Sequence, residues 1–95
     1  MTPDNELLKR YATQRDESAF AELVRRHLDH VYSTALRLVN NDSHLAEDVV
    51  QCVFADLARK CGSLKGCVAL SSWLYTSARF AASKLVRAER RRYSD

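Results

Sequence analysis

Glu17-Ser18-Ala19-Phe20-Ala21-Glu22-Leu23-Val24-Arg25-Arg26-His27-Leu28-Asp29-His30-Val31-Tyr32-Ser33-Thr34-Ala35-Leu36-Arg37-Leu38-Val39 decides the fold. Phe20, Leu23, Val24, His27, Val31, Ala35 and Leu38 recur at steps of three and four, which is one inward stripe of a long α-helix. His27 lies on that stripe, where a partly buried, hydrogen-bonded histidine is the ordinary outcome. His30 and His44 fall on the surface side. Before this stretch, Arg15-Asp16-Glu17-Ser18 breaks the pattern and offers a cap. A shorter helix over about Asp4–Gln14 precedes it, with Asp4 as cap and Leu7, Leu8 and Tyr11 as its apolar face. After it, Asn40-Asn41-Asp42-Ser43 reads as a compact turn that caps a third helix, about Ser43–Lys60. Leu45, Val49, Cys52, Val53 and Leu57 are expected to face inward there. The glycine-bearing segment from Lys60 to Leu70 reads as a loop. A fourth helix, capped by Ser71 or Ser72, runs to about Arg92. The fold class is all-α: a compact three-helix core plus a short N-terminal helix, in a single domain over residues 1–95.

Composition agrees. The chain has 95 residues, two glycines and one proline, and Ala/Leu/Glu/Arg-rich runs favour helices over sheet. The net charge of +3 conceals an asymmetry. Residues 1–60 carry eight Lys/Arg against ten Asp/Glu, net −2, whereas residues 61–95 carry seven against two, net +5. Such a division fits a neutral or acidic docking half joined to a half that meets a polyanion. The first ten residues hold no hydrophobic segment of a signal peptide, and no apolar run approaches a membrane span. Three cysteines, Cys52, Cys61 and Cys67, are odd in number and lack the spacing of a metal site, so neither disulfides nor zinc are expected and a cytoplasmic location fits.

The last helix carries the chemistry. Trp73, Thr76, Phe80, Lys84, Arg87 and Arg91 fall along one stripe, and Leu74, Ala78, Ala81 and Leu85 along another suited to packing. Aromatic rings and cations sharing a face stack on unpaired bases while holding their phosphates. The bland alternative is a solvated cationic helix end with Trp73 or Tyr75 packed on the second helix. On the third helix, Asp48 and Gln51 project together, opposite Leu45, Val49 and Val53, as acceptors for a basic partner or as an ordinary solvated face. No phosphate-binding glycine loop, nucleophile elbow or metal-ligand pair is present. Glu47 and Asp48 are adjacent and diverge by about 100° on a helix, so they cannot share a substrate. An enzyme is not expected, and no cofactor or metal is assigned.

These residues resemble region two of bacterial sigma factors of the extracytoplasmic-function (ECF) type. The matching parts are Ala19-Phe20-Ala21-Glu22-Leu23-Val24-Arg25-Arg26-His27, His30-Val31-Tyr32, Ala35-Leu36-Arg37, Ala46-Glu47-Asp48-Val49-Val50-Gln51-Cys52-Val53-Phe54 and Trp73-Leu74-Tyr75-Thr76-Ser77-Ala78-Arg79 with the basic tail. The resemblance covers about residues 16–92. It implies that Asp48 and Gln51, with Arg37 and Asp56 as neighbours, dock on the clamp helices of the largest catalytic subunit of core RNA polymerase. It implies that residues 61–72, among them Ser63, Leu64, Lys65, Ser71 and Ser72, hold a flipped base of the non-template strand of the promoter minus-ten element. It further implies that Trp73, Arg79, Phe80, Lys84, Arg87, Arg90 and Arg91 line the DNA path. An anti-sigma protein is a further partner that such domains meet.

The sequence departs from the family pattern in three places. Phe80 stands where many members carry asparagine, which makes stacking the natural substitute for amide contacts. Cys52 replaces the glutamate that commonly follows the glutamine. Nothing corresponds to the family's second, helix-turn-helix domain. Two other classes of function remain open at the level of residues: a non-transcriptional helical interaction module whose basic helix binds an acidic partner or RNA, and a metal-dependent helical enzyme using the cysteines and histidines.

Overall fold

The computed structural model describes residues 1–64 and 69–93, and these form four helices: α1 (Asp4–Gln14), α2 (Glu17–Leu38), α3 (Ser43–Leu64) and α4 (Leu70–Tyr93). The long helices α2, α3 and α4 pack on one another, and α1 lies across α2 and α3. Among the described residues there is no strand. The all-α expectation holds, with a three-helix core and a short leading helix.

Local chemistry sets each boundary. Asp16 caps α2, its Oδ1 accepting from the amides of Ser18 (3.1 Å) and Ala19 (3.3 Å) and from the Ser18 hydroxyl (2.7 Å). These bonds, the Ser18 hydroxyl first, hold its carboxyl below the ordinary range. The turn into α3 places Asn40 (φ 56°) and Asn41 (φ 62°) in the left-handed region, which asparagine tolerates better than most residues. Asp42 then caps α3, its Oδ1 accepting from the Leu45 amide at 3.2 Å. α1 ends at Arg15 in the left-handed conformation, with its guanidinium 4.9 Å over the Tyr11 ring.

The core is one cluster. Leu8, Leu23, Ala35, Ala46, Val49, Val53 and Leu57 are fully enclosed, and Leu7, Val31, Cys61, Leu74, Ala78 and Ala82 nearly so. Among the described residues Thr34 is the one buried polar residue, and its Oγ1 accepts from Arg37 Nη2 at 3.4 Å. Buried residues of α4 follow the ridge Leu70, Leu74, Ala78, Ala82. Two alanines on that ridge let the helix backbone approach its neighbours closely.

Four sequence expectations are corrected. Asp4 is not the cap of α1. Pro3 occupies that position, and the Asp4 carboxylate reaches α2 instead, at 3.0 Å from Arg26 Nη1 and 2.8 Å from His27 Nε2. α3 does not stop at Lys60. Cys61 is buried and Leu64 packs against the core, so the helix continues through Gly62. A Cβ at Gly62 would meet nothing within 4 Å, so no steric need places glycine there. Its helix cost of about 0.5–1 kcal/mol is outweighed by the burial on either side. α4 starts at buried Leu70, so Ser71 and Ser72 lie in its first turn and not at its cap. The packing stripe of α4 holds, with Leu74 and Ala78 buried and Ala81 and Leu85 half-buried against the core, and Ala82 joins the buried row. Cys52 is exposed and not inward, because the i, i+4 row Val49, Val53, Leu57 sets the buried side of α3 and leaves Cys52 on its flank.

Candidate nucleic-acid interface

The outer side of α4 is built by subtraction. Once Leu70, Leu74, Ala78 and Ala82 are buried, helical geometry leaves Thr76, Arg79, Phe80, Ser83, Lys84 and Arg87 outward. Phe80 is 66% exposed, among the largest apolar exposures in the described chain. It borders two clefts. On one side, Thr76, Arg79 and Ser83 share a cleft of about 380 Å³ with it. On the other, it joins α3 residues Cys52, Asp56, Arg59 and Lys60 and α4 residues Lys84 and Leu85 around about 490 Å³. Further along α4, Arg79, Arg87 and Arg90 converge with Ser83 on a cleft floored by Leu38 and Val86. Arg87 Nη2 donates to Ser83 Oγ at 3.3 Å.

Arg79, Lys84, Arg87 and Arg90 form no ion pair with a carboxylate among the described residues, whereas Arg92 is tied to Glu89 at 3.0 Å. The Arg79 guanidinium sits 6.0 Å over the ring of Tyr75, which is 44% exposed. Trp73 is half-buried and packs against the core, so of the two aromatics at the start of α4 it is Tyr75 that faces solvent. This side of the molecule presents exposed rings and α4 cations, and the acid lining its clefts is Asp56 of α3, itself bonded to Arg59.

Of the residues expected to hold a flipped base, Ser63 and Leu64 form the last turn of α3 and Ser71 and Ser72 the first turn of α4. Lys65 lies outside the described residues, as do Gly66 and Cys67. Ser63 Oγ donates back to Lys60 O at 2.9 Å.

The second candidate face lies between α2 and α3. Leu28, Asp29 and Tyr32 of α2 and Glu47, Val50 and Gln51 of α3 line a groove of about 360 Å³. Asp48 is exposed on α3 one residue from Glu47, outside the groove lining. Leu28, Asp29, Tyr32 and Glu47 were missed by sequence reasoning. A leucine flanked by polar residues, here 40% exposed, was the one available signal. Arg37 sits on the last turn of α2, exposed and outside this groove. Asp56 is not beside Gln51. It lies in the α3–α4 cleft with Phe80 and Lys84, bonded to Arg59 and 3.6 Å from Lys60. The Arg59 hydrogen bond keeps its carboxyl below the ordinary range, so it is an ionised acceptor.

His27 serves structure, as its place on the α2 stripe suggested: with Arg26 it clasps Asp4 of α1, and Arg26 also reaches Glu22 at 3.1 Å. Among the described residues no three His, Cys, Asp or Glu side chains converge as a metal site, and no helix is long and apolar enough to cross a membrane.

This geometry coincides with a known family: the family model of Sigma-70 region 2 matches residues 23–92. The chain belongs to the Sigma-70 region 2 family. No curated protein and no solved structure gives a significant match. Sigma-70 region 2 is a non-catalytic transcription-factor domain that binds core RNA polymerase and recognises promoter DNA. The match takes in α3, α4 and most of α2, and both candidate faces lie within it. α1 lies outside it.

Proposed function

We propose that this is an ECF-type region two, docking on the clamp helices of core RNA polymerase through the α2–α3 side and capturing the non-template strand of the minus-ten element along α4. The division of the surface carries the reading. Asp48, Gln51, Asp29 and Glu47 place acceptors on one side for basic residues of a partner. Phe80, Arg79, Lys84, Arg87 and Arg90 place a ring and cations on another for bases and phosphates. Stacking a base on an aromatic ring is worth about 1–3 kcal/mol, comparable to the cost of unstacking it. Capture therefore offsets strand opening with no bond-making chemistry. The ends of α3 and α4, Ser63, Leu64, Ser71 and Ser72, bracket the segment assigned to the flipped base. Polymerase and promoter place the domain in the cytoplasm, and an anti-sigma protein would compete for these same faces.

The test is capture of bacterial core polymerase by the immobilised 95-residue chain and by an Asp48→Ala/Gln51→Ala variant. Both residues are exposed, so the variant keeps the helical fold. Capture by the wild type and at least a tenfold loss in the variant is the expected result. Equal capture by both refutes the docking face.

A further inference from the structure

We infer that the cleft between α3 and α4 seats one unpaired nucleotide and selects against a base that lacks an amino group, with Asp56 reading the base edge. The inference rests on the strand-capture reading above and adds to it a site, a contributing helix and a preference. It is separate from the segment between α3 and α4 assigned to the flipped base.

The cleft has the parts that a nucleotide needs. Its volume of about 490 Å³ falls in the range of small-molecule sites. Phe80 supplies a largely exposed ring on its edge, and Leu85 an apolar surface beneath it. Lys84 stands on the α4 rim and Lys60 on the α3 rim, so cations flank the opening from both helices. With them in the lining is Asp56, the one acid among the described residues of the cleft. Its side chain is 22% exposed and is ionised by the Arg59 hydrogen bond. Two cations hold it without covering it: Oδ1 accepts from Arg59, and Lys60 Nζ is 3.6 Å from Oδ2.

An ionised carboxylate only accepts hydrogen bonds. Cytosine offers its N4 amino group to such an acceptor, the pairing found for acidic side chains on base edges. Uracil and thymine present a carbonyl oxygen at the same place, and two acceptors facing each other across a sheltered cleft are left unpaired. A base stacked on Phe80 with its edge toward Asp56 is therefore retained when it carries the amino group and disfavoured when it carries the oxo group. The cations answer the phosphate, so the acid contributes selectivity more than affinity. This also accounts for the position of Asp56, about one and a half turns along α3 from Gln51 and turned toward α4.

The experiment measures binding of fluorescein-labelled ten-residue oligodeoxycytidine and oligodeoxyuridine to the 95-residue chain by anisotropy. These probes differ at the 4-position without the thymine methyl group. The wild type is expected to favour deoxycytidine by about fivefold to tenfold. Asp56→Asn, whose amide both donates and accepts, should bring the ratio near one. Phe80→Ala should weaken both probes about tenfold or more, through loss of the stack. A wild-type ratio near one, a ratio unchanged in Asp56→Asn, or full affinity in Phe80→Ala overturns the inference. If salt-dependent binding persists in either of the first two cases, strand capture along α4 stands and only this cleft is refuted. Full affinity in Phe80→Ala also removes Phe80 from the stacking role in strand capture and leaves the cations alone to carry it. If the wild type shows no salt-dependent binding, the strand-capture reading falls and the inference falls with it.

Discussion

Replacing Arg87 and Arg90 together by alanine isolates the electrostatic part of strand binding. Four α4 cations, Arg79, Lys84, Arg87 and Arg90, have no carboxylate ion pair among the described residues. From Arg79 to Arg90 they span about 16 Å along the helix axis. A strand at B-form spacing offers a phosphate about every 3.4 Å, so each cation can meet its own phosphate. Each phosphate neutralised on a single strand contributes about −0.7 to the slope of log K against log salt. Four contacts give a slope of about −2.8, a roughly fiftyfold loss of affinity between 50 and 200 mM salt. The double variant should show a slope of about −1.4 and lose only about sevenfold over that range. Anisotropy of a labelled single-stranded oligonucleotide across a salt series reads both numbers, with circular dichroism to show that the helices remain. Both side chains are exposed, so the fold should be indifferent to their loss. A double variant with the wild-type slope refutes the assignment of this row to phosphates, whatever happens to absolute affinity.

Two further outcomes concern stability. Leu57→Ala removes a fully enclosed side chain at the centre of α3 and should cost about 2–5 kcal/mol. At about 4–8 °C per kcal/mol for a domain of this size, thermal unfolding should fall by at least 8 °C, and a shift below 3 °C would contradict the packing described. Asp16, Glu22 and Asp56 all have carboxyls held below their ordinary values, by Ser18, by Arg25 and by Arg59 respectively. Their contribution is complete above the ordinary values of 3.8 for the aspartates and 4.5 for Glu22, and is lost as pH falls through the lower folded-state values. Urea midpoints should therefore be insensitive to these groups at neutral pH and decline from about pH 4.5 downward. Asp16→Asn should flatten part of that decline, and an unaltered acid limb would count against the cap.

Much of the fold was legible because short-range rules and packing agreed. A cap could be read in Arg15-Asp16-Glu17-Ser18 from its place between two periodic segments, and Asn40-Asn41 as a turn from residue type. The α2 stripe set the inward side correctly. The misreadings fall where a tertiary partner outvotes a local signal. Gly62 looks like a stop, yet buried Cys61 on one side and Leu64 on the other draw the helix through it. Asp4 looks like a cap, yet Arg26 and His27 on a neighbouring helix take its carboxylate. Cys52 looks apolar, and a shift of one residue around the helix puts it outside. The site was legible in kind from the rings and cations of α4. Its shape was not: which α3 residues stand opposite Phe80 depends on how two helices cross, and spacing within one helix does not encode that. Asp56 is the instance, assigned by neighbourhood in sequence to one face and placed by the crossing of α3 and α4 in another.

α1 lies outside the segment that matches the family, yet it supplies Leu7, Leu8 and Tyr11 to the shared interior and fastens itself to α2 through Asp4. The stretch by which relatives are recognised is thus shorter than the stretch that folds together. A fragment trimmed to residues 23–92 would leave bare the surfaces of α2 and α3 that α1 shelters, and would begin in the middle of a helix. The residues that identify the family and those that keep water out of its centre are overlapping but different sets, and the unit to be moved, fused or swapped is the one that starts ahead of Asp4.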